Sequence, residues 1–84
     1  MTDYTGKIIA ITGAASGIGR GLAGRFGEYG ARLSLADING PKLAEVETAL
    51  KARGVEVIAN IIDVSSREEV QKFANLTFDA FGSV

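Results

Sequence analysis

Thr12-Gly13-Ala14-Ala15-Ser16-Gly17-Ile18-Gly19 stands directly after the apolar run Ile8-Ile9-Ala10-Ile11. An apolar run of that length that ends in a glycine-rich turn predicts a buried strand followed by a phosphate-binding loop. A phosphate needs backbone N–H donors, so side chains have to be kept away from it. Gly13 permits the tight turn out of the strand, Gly17 lets the backbone approach a pyrophosphate, and Gly19 lets the following helix close on the sheet. The helix is expected to begin near Ser16 or Gly17, with its positive end toward the phosphates. Ser16 reads as N-cap, phosphate donor, or both, and Thr12 as a residue that fixes the turn.

A generic pattern search would choose a different register. Gly19, Gly21 and Gly24 satisfy G-x-G-x-x-G, but they fall within the helical stripe and not at the strand end. Gly21, Gly24 and Gly27 are read instead as small residues packed close to the sheet or to a neighbour. Each costs about 1 kcal/mol of helix propensity relative to alanine. A Walker loop is excluded because Arg25-Phe26 follows Gly24, where Lys and Ser/Thr are required.

Outward from the loop, strands alternate with helices. Lys7 to Thr12, Arg32 to Ala36 and Glu56 to Ile62 read as strands, the first and third nearly continuously apolar, as in a sheet covered on both faces. Ile18, Leu22 and Phe26 mark the docking face of the first helix, and Leu43, Val46 and Leu50 that of the second. Val70, Phe73, Ala74, Thr77, Phe78 and Phe81 mark the third. Gly30, Gly54 and Gly82 follow the helices at C-cap positions. Ser65 with Glu68 reads as a capping box, and Asn39-Gly40-Pro41 as a loop that enters a helix with Pro41 in its first turn. Glu47–Lys51 and Glu68–Lys72 are favourable i,i+4 pairs. The order strand, helix, strand predicts an α/β fold with a parallel sheet.

Composition narrows the chemistry further. The 84 residues carry a net charge of −1 with dispersed Lys and Arg, which predicts neither a nucleic-acid nor a membrane partner. The absence of Cys and His excludes disulfides, thiolate metal sites and a histidine base, and no metal site is expected. No apolar stretch approaches the ~18 residues of a membrane span, and no secretion signal opens the chain, so a soluble, cytoplasmic protein is expected. Tyr4 and Tyr29 are read as packing residues.

The run Thr-Gly-x-x-x-Gly-Ile-Gly at residues 12–19 resembles the signature of the short-chain dehydrogenase/reductase family. The likeness extends over nearly the whole chain, from Gly6-Lys7 to Phe81-Gly82. It implies a Rossmann-like sheet of which this chain holds the first half: three strand–helix units in the order 3-2-1, truncated before the fourth strand. The function implied is the NAD(H)-binding portion of an oxidoreductase that transfers hydride between a nicotinamide dinucleotide and a small-molecule alcohol or carbonyl, within a homo-oligomer. The cofactor-binding residues are then Gly13, Ser16, Gly17, Ile18, Gly19, Asp37, Asp63 and Val64. Asp37 ends the second strand about 20 residues after the loop, where a carboxylate accepts both ribose hydroxyls; read alone, it is also an ordinary turn residue. It would repel a 2′-phosphate, and Ile38 supplies no cation, which favours NAD over NADP. Asp63-Val64 resembles the family's adenine-holding pair, and Asp63 could otherwise help to cap the third helix.

The family's tyrosine and its lysine four positions later are not present, since Tyr4 meets Lys7 one position early and Tyr29 is followed by Leu33. No residue is therefore assigned as catalytic, and the chain by itself is expected to be inactive. Two alternatives stand beside this reading: a truncated, non-catalytic nucleotide-binding or interaction fragment, and an S-adenosylmethionine methyltransferase. The latter would require its glycines to abut the first strand behind an acidic residue.

Overall fold

Apolar β-branched runs and helical stripes sort the chain into six elements, seen in a computed structural model that describes residues 3–82. They are β1 (Ile8–Thr12), α1 (Gly17–Glu28), β2 (Arg32–Asp37), α2 (Gly40–Ala52), β3 (Val57–Ile61) and α3 (Arg67–Phe81). The strands form one parallel sheet in the order β1-β2-β3, which is the expected 3-2-1 adjacency read from the other edge. Thr12 is level with Ala36, and Asp37 with Ile61, so the carboxyl ends of the strands share one rim. Strand limits differ from the expected ones by a residue, but pairing runs past them: Arg32 N–H donates to Lys7 O at 2.8 Å and Ile62 N–H to Asp37 O at 3.1 Å.

Central β2 is the most buried strand, with Leu33, Ser34, Leu35 and Ala36 all closed to solvent. One core lies between the sheet and α1 and α2, built from Ala14, Ala23, Leu33, Leu35, Leu43, Val46, Leu50 and Val57. The α2 stripe is thus the expected one. For α1 the expected face is displaced by one residue. Gly19 and Ala23 are buried, whereas Ile18 is 82% and Leu22 45% exposed, and only Phe26 of that stripe packs on the core. The residues without bulk face the sheet because they let the helix axis come close, and this turns the large side chains outward.

On the third helix, Phe73 and Thr77 are buried while Val70 and Phe78 stand exposed, so the predicted stripe is wider than the sheet face it meets. Phe73 packs with Ala36 and Ile62 in a second, small core. Beside it lies a buried hydroxyl pair, Ser34 Oγ and Thr77 Oγ1 at 2.5 Å. Thr77 donates to Phe73 O at 2.8 Å, so the shared proton comes from Ser34 and neither hydroxyl is left unsatisfied. The Arg32 guanidinium covers the Phe81 ring at 5.3 Å.

The ends of the helices follow local rules. Asn39 caps α2 ahead of Pro41, and Gly30, Gly54 and Gly82 take positive φ. The α3 cap is Ser66, not Ser65: Ser66 Oγ accepts Glu69 N–H at 3.3 Å, while Ser65 is drawn into a turn on Asp63. Tyr4 packs edge-on to Phe26 at 5.1 Å and beside Tyr29, as packing residues should. Of Gly21, Gly24 and Gly27, only Gly27 packs tightly, where a Cβ would lie 3.0 Å from Val55 Cγ2. Gly24 has only Arg53 at 3.8 Å, and nothing lies within 4 Å of Gly21, so close packing does not account for either. Glu47 and Lys51 pair at 3.0 Å; among the described residues Glu68 and Lys72 do not. No described helix is long and apolar enough to cross a membrane.

Among the described residues β1 pairs on one edge only, and Ile18, Leu22, Val70 and Phe78 are open apolar surface. An exposed parallel edge invites association. Produced as these 84 residues, the chain is expected to sediment as oligomers or aggregates. A monomeric two-state melt above ~60 °C, the behaviour of a complete mesophilic domain, would contradict this.

Candidate functional site

The loop after β1 is held by its own backbone. Gly13 takes φ +65°, a conformation that L side chains rarely adopt. Its carbonyl accepts from Ser16 N–H at 3.0 Å and from Ser16 Oγ at 2.7 Å. Ser16 Oγ in turn accepts Gly19 N–H at 3.2 Å, which makes Ser16 the N-cap of α1. A Cβ on Gly19 would lie 2.8 Å from the Gly13 carbonyl carbon and 3.0 Å from Ala14 Cα. Gly19 is therefore needed for the loop to fold back on its own helix, a tighter constraint than the helix-on-sheet contact expected. Gly17 is the opposite case: its Cβ would meet nothing within 4 Å, so open space lies against the backbone there.

Gly17 and Ile18 occupy the first turn of α1, where N–H groups have no carbonyl one turn back to reach. No acidic residue in that turn offsets the positive end of the helix. The side chain of Ile18 is solvent-exposed, which leaves its N–H as the contribution it can make. Thr12 is exposed, and among the described residues its hydroxyl makes no bond to the turn.

Asp37 comes to this loop because β2 lies beside β1 in register. Its Oδ2 accepts Ala15 N–H at 2.9 Å and its Oδ1 accepts Asn39 N–H at 2.8 Å. A carboxylate oxygen has two acceptor sites, so each keeps one for a further donor. Ala15, Ser16, Asp37, Asn39 and Lys42 line a cleft of about 220 Å³ at this point. Asn39 and Lys42 were not anticipated as part of it. The available signal was the cap spacing, since Asn39 Oδ1 holds Lys42 N–H at 3.1 Å and turns this segment beneath the loop. Ile38 points to solvent, and Arg20 lines a separate groove between α1 and α2 with Arg25 and Arg53.

Asp63 follows β3 on the same rim. Its Oδ1 accepts Ser65 Oγ–H at 2.6 Å and Ser65 N–H at 2.9 Å, and these two bonds hold the carboxyl below the usual carboxylate range. Glu69 Oε1, in the first turn of α3, accepts Asp63 N–H at 2.9 Å, a contact that sequence spacing did not suggest. Val64 beside it is 56% exposed. The structure thus gathers Gly13, Ser16, Gly17, Ile18, Gly19 and Asp37 around one loop, with Asp63 and Val64 further along the same edge. Among the described residues no cluster suited to a metal ion occurs.

Residues 7–84 match the family model described as short chain dehydrogenase. A short-chain dehydrogenase/reductase of Botryotinia fuckeliana is 45% identical over 82 residues, which covers 96% of this chain and 32% of that protein. The crystal structure of a short-chain dehydrogenase/reductase from Burkholderia phymatum in complex with NAD is similar at TM-score 0.95 and 42% identity, covering 100% of this chain and 30% of that one. A metagenomic short-chain oxidoreductase in complex with NADP is similar at TM-score 0.88 and 32% identity, covering 96% and 37%. The chain spans about a third of the length of the curated relatives it matches.

The two helical glycines of the loop should respond in opposite ways. Gly19→Ala is expected to cost about 1–3 kcal/mol of stability through forced overlap with the loop backbone. Gly17→Ala, with open space at its Cβ, should be neutral or slightly stabilising; denaturant midpoints of the two variants distinguish them. The Asp63 carboxyl, lowered on folding, contributes stability that is present above its unfolded value near 3.9 and lost as pH falls through its lower folded value. The Ser65 amide resonance should therefore titrate with a midpoint below that of an ordinary aspartate, and Asp63→Asn should abolish the titration.

Proposed function

The chain belongs to the short-chain dehydrogenase family, and from this we propose that its residues form the NAD-binding portion of an oxidoreductase acting on an alcohol or carbonyl. The observation that carries the reading is the bond from Ala15 N–H to Asp37 Oδ2 at 2.9 Å, which holds a carboxylate against the glycine loop. That carboxylate keeps two acceptor sites, the number that a pair of ribose hydroxyls requires. The open space at Gly17 and the N–H groups of Gly17 and Ile18 in the first turn suit a pyrophosphate. Ser16 adds a hydroxyl beside them. Asp63 and the Val64 backbone are assigned to the adenine ring.

The nicotinamide, when bound, supplies or accepts the hydride. These residues bind and orient the adenosine and pyrophosphate, and none is given a role at the reacting carbon. We place the proton chemistry, the substrate contacts and the strand that covers the free edge of β1 in a longer protein, consistent with the relatives being about three times this length. NAD is preferred over NADP because the Asp37 charge faces the ribose. A methyltransferase reading loses its support, since Gly17 is separated from β1 by the Gly13 turn and the chain belongs to a different family.

Titrating the protein, as its source makes it, with NADH and following nucleotide fluorescence tests this. Asp37→Ala removes hydrogen bonds to a charged acceptor and should weaken NADH binding by about 10- to 100-fold. Gly17→Ala should weaken binding comparably while leaving stability intact. If NADH does not bind, or binds equally well to Asp37→Ala, the reading is wrong.

A further inference from the structure

Lys and Arg are dispersed along the sequence, yet the packing of α1 beside α2 gathers three arginines into one groove. Arg20 and Arg25 enter it from α1 and Arg53 from the end of α2, around a space of about 490 Å³. On α1, Arg20 with Gly24 and Gly21 with Arg25 are i,i+4 neighbours, so charged side chains and bare backbone alternate along one face. A Cβ on Gly21 would meet nothing within 4 Å, and one on Gly24 only Arg53 Nη1 at 3.8 Å. The helix therefore gives up about 1 kcal/mol at each glycine with no packing in return. What the missing side chains do provide is the depth of the groove. Its opposite wall is apolar, formed by Val46, Ala49 and Leu50 of α2.

The fold does not account for the charge in this groove. Arg53 Nη2 donates to Glu28 Oε1 at 3.1 Å, while its Nη1 lies over Gly24. The other ion pair among the described residues is Glu47–Lys51, so Arg20 and Arg25 belong to neither. Arg25, in the last turn of α1, is favoured by the helix dipole; Arg20, at the end of the first turn, is not. Among the described residues Glu28 is the carboxylate that lines the groove, and Glu45 lies in the adjoining one, which Arg20 also borders. Three guanidinium groups against Glu28 leave an excess of two positive charges, in a chain whose net charge is −1. Like charges held together repel one another, and an anion that enters removes that cost.

We propose that the groove between α1 and α2 is a second ligand site, which takes a small phosphate monoester with an apolar body. Such a phosphate carries about −1.5 to −2 charges at neutral pH, which matches the excess, and its oxygens accept the forked N–H donors of arginine. The volume is that of a small-molecule site, and the α2 wall gives the body of the ester apolar contact. Neither the glycine loop nor Asp37 lines this groove, so the proposal does not rest on dinucleotide binding.

Calorimetric titration of the protein, as its source makes it, with phenyl phosphate tests this. Phenyl phosphate should bind, and inorganic phosphate and phenol should each bind at least about fivefold more weakly, since each lacks one half of the recognition. Arg20→Ala combined with Arg25→Ala should weaken phenyl phosphate binding about 10-fold, and the corresponding lysine pair less, because lysine keeps the charge and loses the fork. Both arginines are exposed, so neither variant should unfold the chain. Gly21→Leu places a good helix former at an open position; it should leave the thermal midpoint unchanged or raised while filling the groove and abolishing binding. Added salt should weaken native binding. No binding of phenyl phosphate, equal binding of inorganic phosphate, or an affinity unmoved by the arginine and Gly21 variants overturns the proposal. Binding of a hexaglutamate peptide in place of phenyl phosphate would also overturn it, and would assign the groove to an acidic protein segment.

Discussion

At the carboxyl end of β2, two consecutive residues hold the glycine loop. The Ala36 carbonyl accepts Ala14 N–H at 3.1 Å, and the Asp37 carboxylate accepts Ala15 N–H at 2.9 Å. Through these bonds the central strand positions the turn that leaves its neighbour, and that turn positions α1. Parallel pairing makes this possible, because it brings the carboxyl ends of β1 and β2 level. Ligand sites in open α/β sheets form at that rim for the same reason. A carboxylate used in this way is both part of the frame and part of the site, so substituting it disturbs the loop as well as any ligand.

The two sides of the sheet are secured differently. On one, α1 and α2 cover a continuous apolar core, and the bulk missing from Gly19 and Ala23 lets α1 approach. On the other, α3 rests on a small core of Ala36, Ile62 and Phe73, with the buried Ser34–Thr77 hydroxyl pair beside it. Apolar contact tolerates sliding, whereas a buried hydroxyl pair is costly to break, since each partner left alone would be unsatisfied. That pair fixes the register of α3 on β2 and so, through the Asp63 turn at its start, the position of the third site segment.

The apolar residues that face outward tell a consistent story about the frame. Ile18, Leu22, Val70 and Phe78 obey helical periodicity yet stand exposed. They extend stripes whose inner halves are buried. Periodicity reports that a helix has an apolar face; it does not report which part of that face the three strands reach. For α1 the deciding residues were the small ones, Gly19 and Ala23, which carry almost no hydrophobic signal. The same blindness affected Gly21 and Gly24, whose spacing suggested packing although nothing presses on them.

What the sequence determined by itself was local. Six elements, the α2 core face, the cap at Ser16, the entry of Pro41 into the first turn of α2, and the left-handed glycines follow from periodicity, side-chain capping and the Cβ penalty at positive φ, each of which acts within a few residues. The glycine loop and Asp37 were legible for the same reason, as a strand end followed by a fixed spacing. Tertiary structure alone decided what depends on elements far apart in sequence. The Ser34–Thr77 pair joins residues 43 apart, and the cleft of Asn39 and Lys42 exists only once α2 is turned under the loop. Even the α3 cap moved from Ser65 to Ser66, because the Asp63 carboxylate competes for Ser65 through two hydrogen bonds that a capping pattern cannot weigh.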